Sequence, residues 1–358
     1  MNFKRKKARL ILEDGTVFEG YSFGSIRAVS GEVVFNTGMI GYPESLTDPS
    51  YRGQILVLTY PLIGNYGVPG KEKEDGLSKY FESDRIQVRG LIIANDSEEY
   101  SHWNAKKSLS EWMKEHNVPG IYNIDTRELT KKLREKGTML GKIVYNDEDN
   151  VKLEDPNKRN LVAEVSIKKP IRYKKGKKRV ILVDCGVKNS IIRAFLERNI
   201  TVIRVPWDHD FLKEKADGII ISNGPGDPKK CVDTIENVRR ALSKNIPILG
   251  ICLGSQILGL AAGATTYKLK YGHRSQNQPC MEVGTKRCYV TPQNHGYAVD
   301  ADTLPEDWRE WFYNSNDKTN EGIFHISKPF FGTQFHPEAS PGPDDTEFIF
   351  DMFVRAME

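Results

Sequence analysis

The sequence predicts an α/β protein in two parts: an N-terminal β-rich α+β domain over residues 1–150 and a mostly parallel-sheet domain over 179–358, joined by a basic linker region over 151–178. Three observations predict it. At roughly 150 residues per domain, 358 residues make two domains, and 39% hydrophobic side chains can give each a core. The first part carries short β-rich runs broken by Gly and Pro. The second alternates apolar strands with helix-like stretches, the pattern of a parallel sheet covered on both faces.

In chain order, Ala8 to Leu12, Val33 to Asn36 and Gln54 to Tyr60 read as strands. Thr126 to Lys136 reads as a helix, because Asp125 and Glu128 fit a capping box, Leu129 and Leu133 share a face, and Gly137 suits the stop. Lys168 to Arg179, KKPIRYKKGKKR, carries eight basic residues with Pro and Gly and no apolar period, which marks an exposed connection. Beyond it the order is strand (Val180 to Val183), helix (Asn189 to Arg198), strand (Thr201 to Val205) and strand (Gly218 to Ile221). A helix (Thr234 to Ser243) and a strand (Ile246 to Ile251) follow.

Composition excludes several classes. With 52 basic and 48 acidic side chains the net charge is +4, too balanced for a nucleic-acid binder, and the basic run carries a single aromatic, Tyr173, rather than an interleaved set. No apolar run approaches the roughly 18 residues of a membrane span. The basic start Met1-Asn2-Phe3-Lys4-Arg5-Lys6-Lys7 leads only to Leu10-Ile11-Leu12 before Glu13-Asp14, so no signal peptide is expected and the predicted location is cytoplasmic. Five cysteines, an odd number with no C-x-x-C pair, predict neither a disulfide framework nor a structural zinc site, and no metal site is expected. In such a chain the sequons at Asn95 and Asn199 are accidental.

Chemistry concentrates in three segments. Pro247-Ile248-Leu249-Gly250-Ile251 runs into Cys252-Leu253-Gly254 and then a helix-like stretch, which makes Gly250-Ile251-Cys252-Leu253-Gly254 a nucleophile elbow with cysteine in the reactive position. Ordinary strand-to-helix joints also look like this. At a helix N-terminus, however, the dipole and free N–H groups favour a thiolate. Gln334-Phe335-His336-Pro337-Glu338 offers a base and an orienter, since Pro337 holds His336 extended and residues two apart then point the same way. His336 would take the thiol proton and return it to the leaving group, with Glu338 fixing the ring. Ser222-Asn223-Gly224-Pro225-Gly226-Asp227-Pro228 follows an apolar strand and lets backbone N–H groups approach a developing oxyanion. All three fall at carboxyl ends of parallel strands, the rim where such sheets bind ligands. From the residues alone, the reading stops at thiol-dependent acyl transfer.

Gly250 to Gly254, Gly224-Pro225-Gly226-Asp227-Pro228 and His336-Pro337-Glu338 resemble the three signatures of the class I (triad-type) glutamine amidotransferases. Within them the chain is similar, over nearly its whole length, to the family of small subunits of carbamoyl phosphate synthetases. The added similarity lies in Phe35 to Tyr42, Leu46 to Tyr51, Leu58 to Asn65, Ile124 to Arg127, Pro292 to Tyr297 and Glu338 to Pro343.

The resemblance implies hydrolysis of glutamine through a thioester on Cys252, with His336 and Glu338 completing the triad. It implies oxyanion donors at Gly226 and Leu253 and a glutamine site from Ser50, Gly224, Gly226, Leu253, Gln256, Asn294, Gly296 and Tyr297. It further implies that ammonia passes to a large synthetase subunit, in a heterodimer, where bicarbonate and ATP are consumed for arginine or pyrimidine synthesis. ATP and Mg would belong to that partner; this chain carries no G-x-x-x-x-G-K-[ST] loop and no cofactor is expected in it. Two departures stand out: Ser255 where many members have His, and Gln278 in Ser275-Gln276-Asn277-Gln278, where Gly-x-Asn-His is common. The alternatives are a catalytically silent docking subunit and an amidotransferase serving another acceptor. The intact Cys252 and His336 argue against the first, the segments around Ser50 against the second.

Overall fold

The computed structural model describes residues 6–358, so the first five residues of the basic start lie outside the described residues. The chain divides into two compact units, Met1–Glu74 with Ser78–Lys158, and Asp75–Leu77 with Arg159–Glu358.

The first unit is built on a closed barrel. Its strands run Lys7–Leu12, Met139–Val144, Val29–Asn36, Gln54–Leu58, Gly90–Ile92, Pro119–Tyr122 and Val17–Gly24, the last pairing with the first. Closure removes the unpaired edges that an open sheet would present. Val29–Asn36 is buried along its length and pairs in parallel with Gln54–Leu58, which explains why both are apolar. Leu56, Leu91, Trp112 and Met113 share one core. The helix Thr126–Lys136 forms where its caps place it: Asp125 Oδ1 accepts the Glu128 N–H at 2.8 Å, and Gly137 ends it at φ 99°.

The second unit holds a sheet of ten strands. Five central strands are parallel, in the order Thr201–Pro206, Arg179–Asp184, Gly218–Ile221, Ile248–Ile251, Phe330–Thr333. Beyond Phe330–Thr333 it continues antiparallel through Asn320–His325, Trp308–Asn314, Thr266–Glu282 and Cys288–Val299. Side chains alternate between two cores: Val180, Leu182 and Ile220 pack with helices Asn189–Glu197 and Phe348–Ala356, whereas Ile181, Val183 and Ile219 pack with Val232–Ala241 and Leu253–Ala262.

The basic stretch read as an exposed connection takes part in this unit. Leu161–Val165 is a short helix, and Ile171–Tyr173 forms an antiparallel edge strand against Thr201–Pro206. Its apolar-basic-apolar alternation is only three residues long and is masked by the surrounding lysines, yet Tyr173 packs against the core. Among the described residues no helix is long and apolar enough to cross a membrane.

Candidate active site

The elbow owes its shape to two absent side chains. A Cβ on Gly250 would lie 2.5 Å from the Gly254 carbonyl oxygen, and one on Gly254 would lie 2.0 Å from that of Ile221. Strand Ile248–Ile251 can therefore turn into helix Leu253–Ala262 within one residue. That residue, Cys252, takes φ 54° and ψ −107°, a conformation L-residues occupy only when the surroundings impose it. Its N–H is held by the Thr333 carbonyl at 2.7 Å. Leu253 opens the helix, so its N–H is among the donors without an intrahelical partner. The Gly-Pro-Gly loop touches the same turn: a Cβ on Gly224 would meet Leu253 Cδ2 at 2.8 Å and the Cys185 carbonyl at 2.1 Å.

The sulfur sits among groups from strand Cys288–Val299 and from the segment that follows strand Phe330–Thr333. Gln334 Nε2 donates toward Cys252 Sγ at 3.6 Å, and Sγ faces the Asn294 carbonyl at 3.7 Å. His336, buried, places Nδ1 2.6 Å from Glu338 Oε1. Its Nε2 is buried without a full hydrogen bond to any described residue, and Cys252 is the neighbour that interacts with the ring. Burial opposes charging this imidazole, but the negative charges of Glu338 and of Cys252 as thiolate outweigh it and raise the pKa of His336 to about 10. Burial likewise opposes the Glu338 carboxylate, which Lys188 first and His336 second hold at about 2.

Lys188 is the residue that sequence reasoning missed. Its Nζ lies 3.0 Å from Glu338 Oε1 and donates to the Ala339 carbonyl at 2.6 Å, with side chains 4% and 0% exposed for Lys188 and Glu338. Buried charge thus alternates from Lys188 to Glu338 to His336, ending on the thiol. Its one signal in sequence is its place just past the strand Arg179–Asp184, on the same rim as the other groups. Gln334 was equally legible: it stands two residues before His336 and so shares its side.

The residues expected to hold glutamine separate into two sets. Gln256 donates from Nε2 to the Tyr297 carbonyl at 2.7 Å and to Gln334 Oε1 at 2.9 Å, while its own Oε1 is buried with no hydrogen-bond partner among the described residues. Asn294, Gly296 and Tyr297 follow one another on strand Cys288–Val299, and Gly226 sits in the loop beside Gly224 at φ 84°. Ser50 belongs to the first unit, in the 3-10 turn Pro49–Tyr51, where its N–H is capped by Asp48 Oδ1 at 2.9 Å. Its part in glutamine binding rests on the resemblance alone.

The two departures occupy a packed and a hydrogen-bonded position. Ser255 is buried against Gly332, where a Cβ would come within 2.7 Å of its Oγ. Gln278 bonds Ser275 Oγ at 3.0 Å and accepts from Asn314 at 3.0 Å on the antiparallel strands. All five cysteines are free, and Cys252 is among the four that are buried.

Residues 181–356 match the family described as "Glutamine amidotransferase class-I", and residues 10–143 match "Carbamoyl-phosphate synthase small chain, CPSase domain". The "Carbamoyl phosphate synthase arginine-specific small chain" of Saccharomyces cerevisiae is 50% identical over 371 residues, covering 100% of this chain and 90% of that protein. "Multifunctional protein CAD" of Squalus acanthias is 55% identical over 354 residues, 97% of this chain and 16% of that protein. "Carbamoyl-phosphate synthase [ammonia], mitochondrial" of Homo sapiens is 52% identical over 363 residues, 100% of this chain and 24% of that protein. The chain therefore spans less than a quarter of the length of these two larger relatives.

Proposed function

The chain belongs to the carbamoyl-phosphate synthase small-chain family, and on that premise we propose that it is the glutaminase of a two-subunit synthetase. His336 takes the Cys252 proton, and the thiolate attacks the side-chain amide carbon of glutamine. The resulting oxyanion faces the N–H groups of Gly226 and Leu253. As the C–N bond breaks, His336 passes its proton to the nitrogen, ammonia leaves, and a γ-glutamyl thioester remains. Water, deprotonated by His336, then releases glutamate and restores the thiol. Glu338 holds the ring in one tautomer and offsets its charge, and Lys188 keeps Glu338 ionised. Gly224, Gln256, Asn294, Gly296 and Tyr297 hold the substrate, with Gln256 Oε1 as the acceptor for its free amine.

The observation that carries this reading is the buried array from Lys188 through Glu338 and His336 to a cysteine on a strained elbow. In our reading ammonia passes through the protein interior to a large synthetase subunit in the cytoplasm. That partner would hold the ATP and magnesium that turn bicarbonate and ammonia into carbamoyl phosphate. A second reading, a docking subunit that gates its partner without hydrolysing glutamine, is favoured by the word "ammonia" in the name of the human relative.

The test is glutamine-dependent carbamoyl phosphate formation by this chain mixed with a matching large subunit, beside Cys252→Ser. Product from glutamine with the intact chain, and from free ammonia alone with the variant, is the expected result. Product from ammonia but never from glutamine would install the docking reading.

A further inference from the structure

A second group of buried titratable side chains lies on strands Thr266–Glu282, Cys288–Val299 and Asn320–His325 of the second unit. His273 and His295 stand opposite each other in the strand register, and their rings meet edge to face at 5.0 Å. Glu321, fully buried, sets Oε1 3.2 Å from His273 Nδ1 and 3.7 Å from His295 Nε2. Asp317 Oδ2 lies 2.8 Å from His273 Nε2. The donor atoms of His273, His295 and Glu321 fall within 4.8 Å of one another, and these residue types can hold a metal ion. The His273 ring favours a different state. Both its nitrogens face a carboxylate oxygen at hydrogen-bonding distance, which suits an imidazolium donating twice and leaves no ring lone pair for a cation.

His295 carries this arrangement to the site. Its Nδ1 lies 2.9 Å from the Tyr297 carbonyl, so that nitrogen bears a hydrogen, and Nε2 turns to Gln293 Oε1 at 3.1 Å, with Glu321 Oε1 at 3.7 Å acting on the ring through its charge rather than through a hydrogen bond. The residues on either side of His295 are Asn294, whose carbonyl faces Cys252 Sγ, and the Gly296-Tyr297 pair, whose Tyr297 carbonyl holds Gln256. The Glu321 backbone carbonyl also accepts the Gln334 N–H at 2.9 Å, and the Gln334 side chain touches both Gln256 and Cys252. One buried acid therefore ties together the strand that lines the substrate and the strand that delivers the base.

We propose that Glu321 is a positioning residue: held by the His273 imidazolium, it fixes the His295 ring and through it the Asn294–Tyr297 segment, setting affinity for glutamine rather than reactivity of Cys252. The inference rests on the glutaminase reading above. It predicts a split between binding and chemistry, because no member of the Lys188–Glu338–His336–Cys252 array belongs to this group.

Alkylation of Cys252 by iodoacetamide, followed at the Cys252 peptide by mass spectrometry with increasing glutamine, reads both properties on the 358-residue chain. Glu321→Gln keeps the side-chain shape and removes the charge. Asp317→Asn weakens the His273 charge from a side chain that is 44% exposed and disturbs no core. The glutamine concentration that halves alkylation should rise about tenfold in Glu321→Gln and about threefold in Asp317→Asn, the loss expected of one charge-assisted hydrogen bond or part of it. The rate without glutamine should stay within about twofold, since the thiol array is intact. Unchanged protection in both variants would overturn the proposal. So would a parallel fall in protection and basal alkylation, which marks a merely structural role, and Asp317→Asn decides if Glu321→Gln does not fold. If glutamine fails to protect the unsubstituted chain, the glutaminase reading falls, and this inference with it.

Discussion

Glu338→Gln removes one member of a buried ion pair. Lys188, 4% exposed and 3.0 Å from the altered side chain, would lose the Glu338 charge. Breaking a buried pair by removing one partner costs about 3–5 kcal/mol, whereas replacing both partners with neutral groups of similar volume is often close to neutral. The double variant Lys188→Met/Glu338→Gln should therefore recover most of the stability that Glu338→Gln loses. Activity should not follow. At 2.6 Å and an effective dielectric near 20, the Glu338 carboxylate attracts the His336 imidazolium by about 6 kcal/mol, worth about five pKa units. Without it burial prevails, the ring is uncharged at neutral pH, and the thiolate–imidazolium pair does not form. Both variants should lose about a hundredfold or more in glutamine turnover, as when an orienting acid is replaced in other triads. Urea denaturation and glutamate release measure the two properties separately. Destabilisation of the double variant by the sum of the single losses, or renewed activity in it, would refute the reasoning.

Two further outcomes follow from the same geometry. His336 is raised from 6.5 to about 10, so its contribution to stability is complete below pH 6.5 and is lost as pH rises toward 10. Glu338 is lowered from 4.5 to about 2, so its contribution is complete above pH 4.5 and is lost as pH falls toward 2. The stability difference between the unsubstituted chain and His336→Asn should peak between those limits, pH 4.5 to 6.5, and a difference that stays constant from pH 6.5 to 10 would contradict it. Gly254→Ala pushes a methyl to 2.0 Å from a backbone oxygen and should cost more than about 3 kcal/mol or prevent folding. Gly284→Ala, at φ 76° with nothing within 4 Å, should cost only about 1–2 kcal/mol of backbone strain. Equal denaturation midpoints would show that crowding does not shape the elbow.

Features that local chemistry dictates were readable before any coordinates. Gly250, Cys252 and Gly254 declare a tight strand-to-helix turn, and Pro337 between His336 and Glu338 declares two side chains on one side. The apolar strands from Val180 onward declare a parallel sheet. What stayed hidden depends on partners distant in sequence. Lys188 and Glu338 are 150 positions apart, and nothing near either marks the pairing. The same holds for His273 and Glu321, 48 positions apart on strands that pair through a third. Barrel closure in the first unit is a property of seven strands together, visible in no single run. The edge strand Ile171–Tyr173 was obscured because a lysine-rich composition outweighs a three-residue alternation.

The elbow also separates where the reactive atom sits from which atom it is. The unusual backbone at position 252 is imposed by Ile221, Gly250 and Gly254 around it, so any L-residue installed there must accept the same φ and send its Cβ along the same vector. Serine, alanine or selenocysteine would occupy one socket with one aim, each bearing the same conformational cost. Chemistry at this position is thus interchangeable on a fixed mount, and differences among such variants report the reacting group itself, free of any change in where it points.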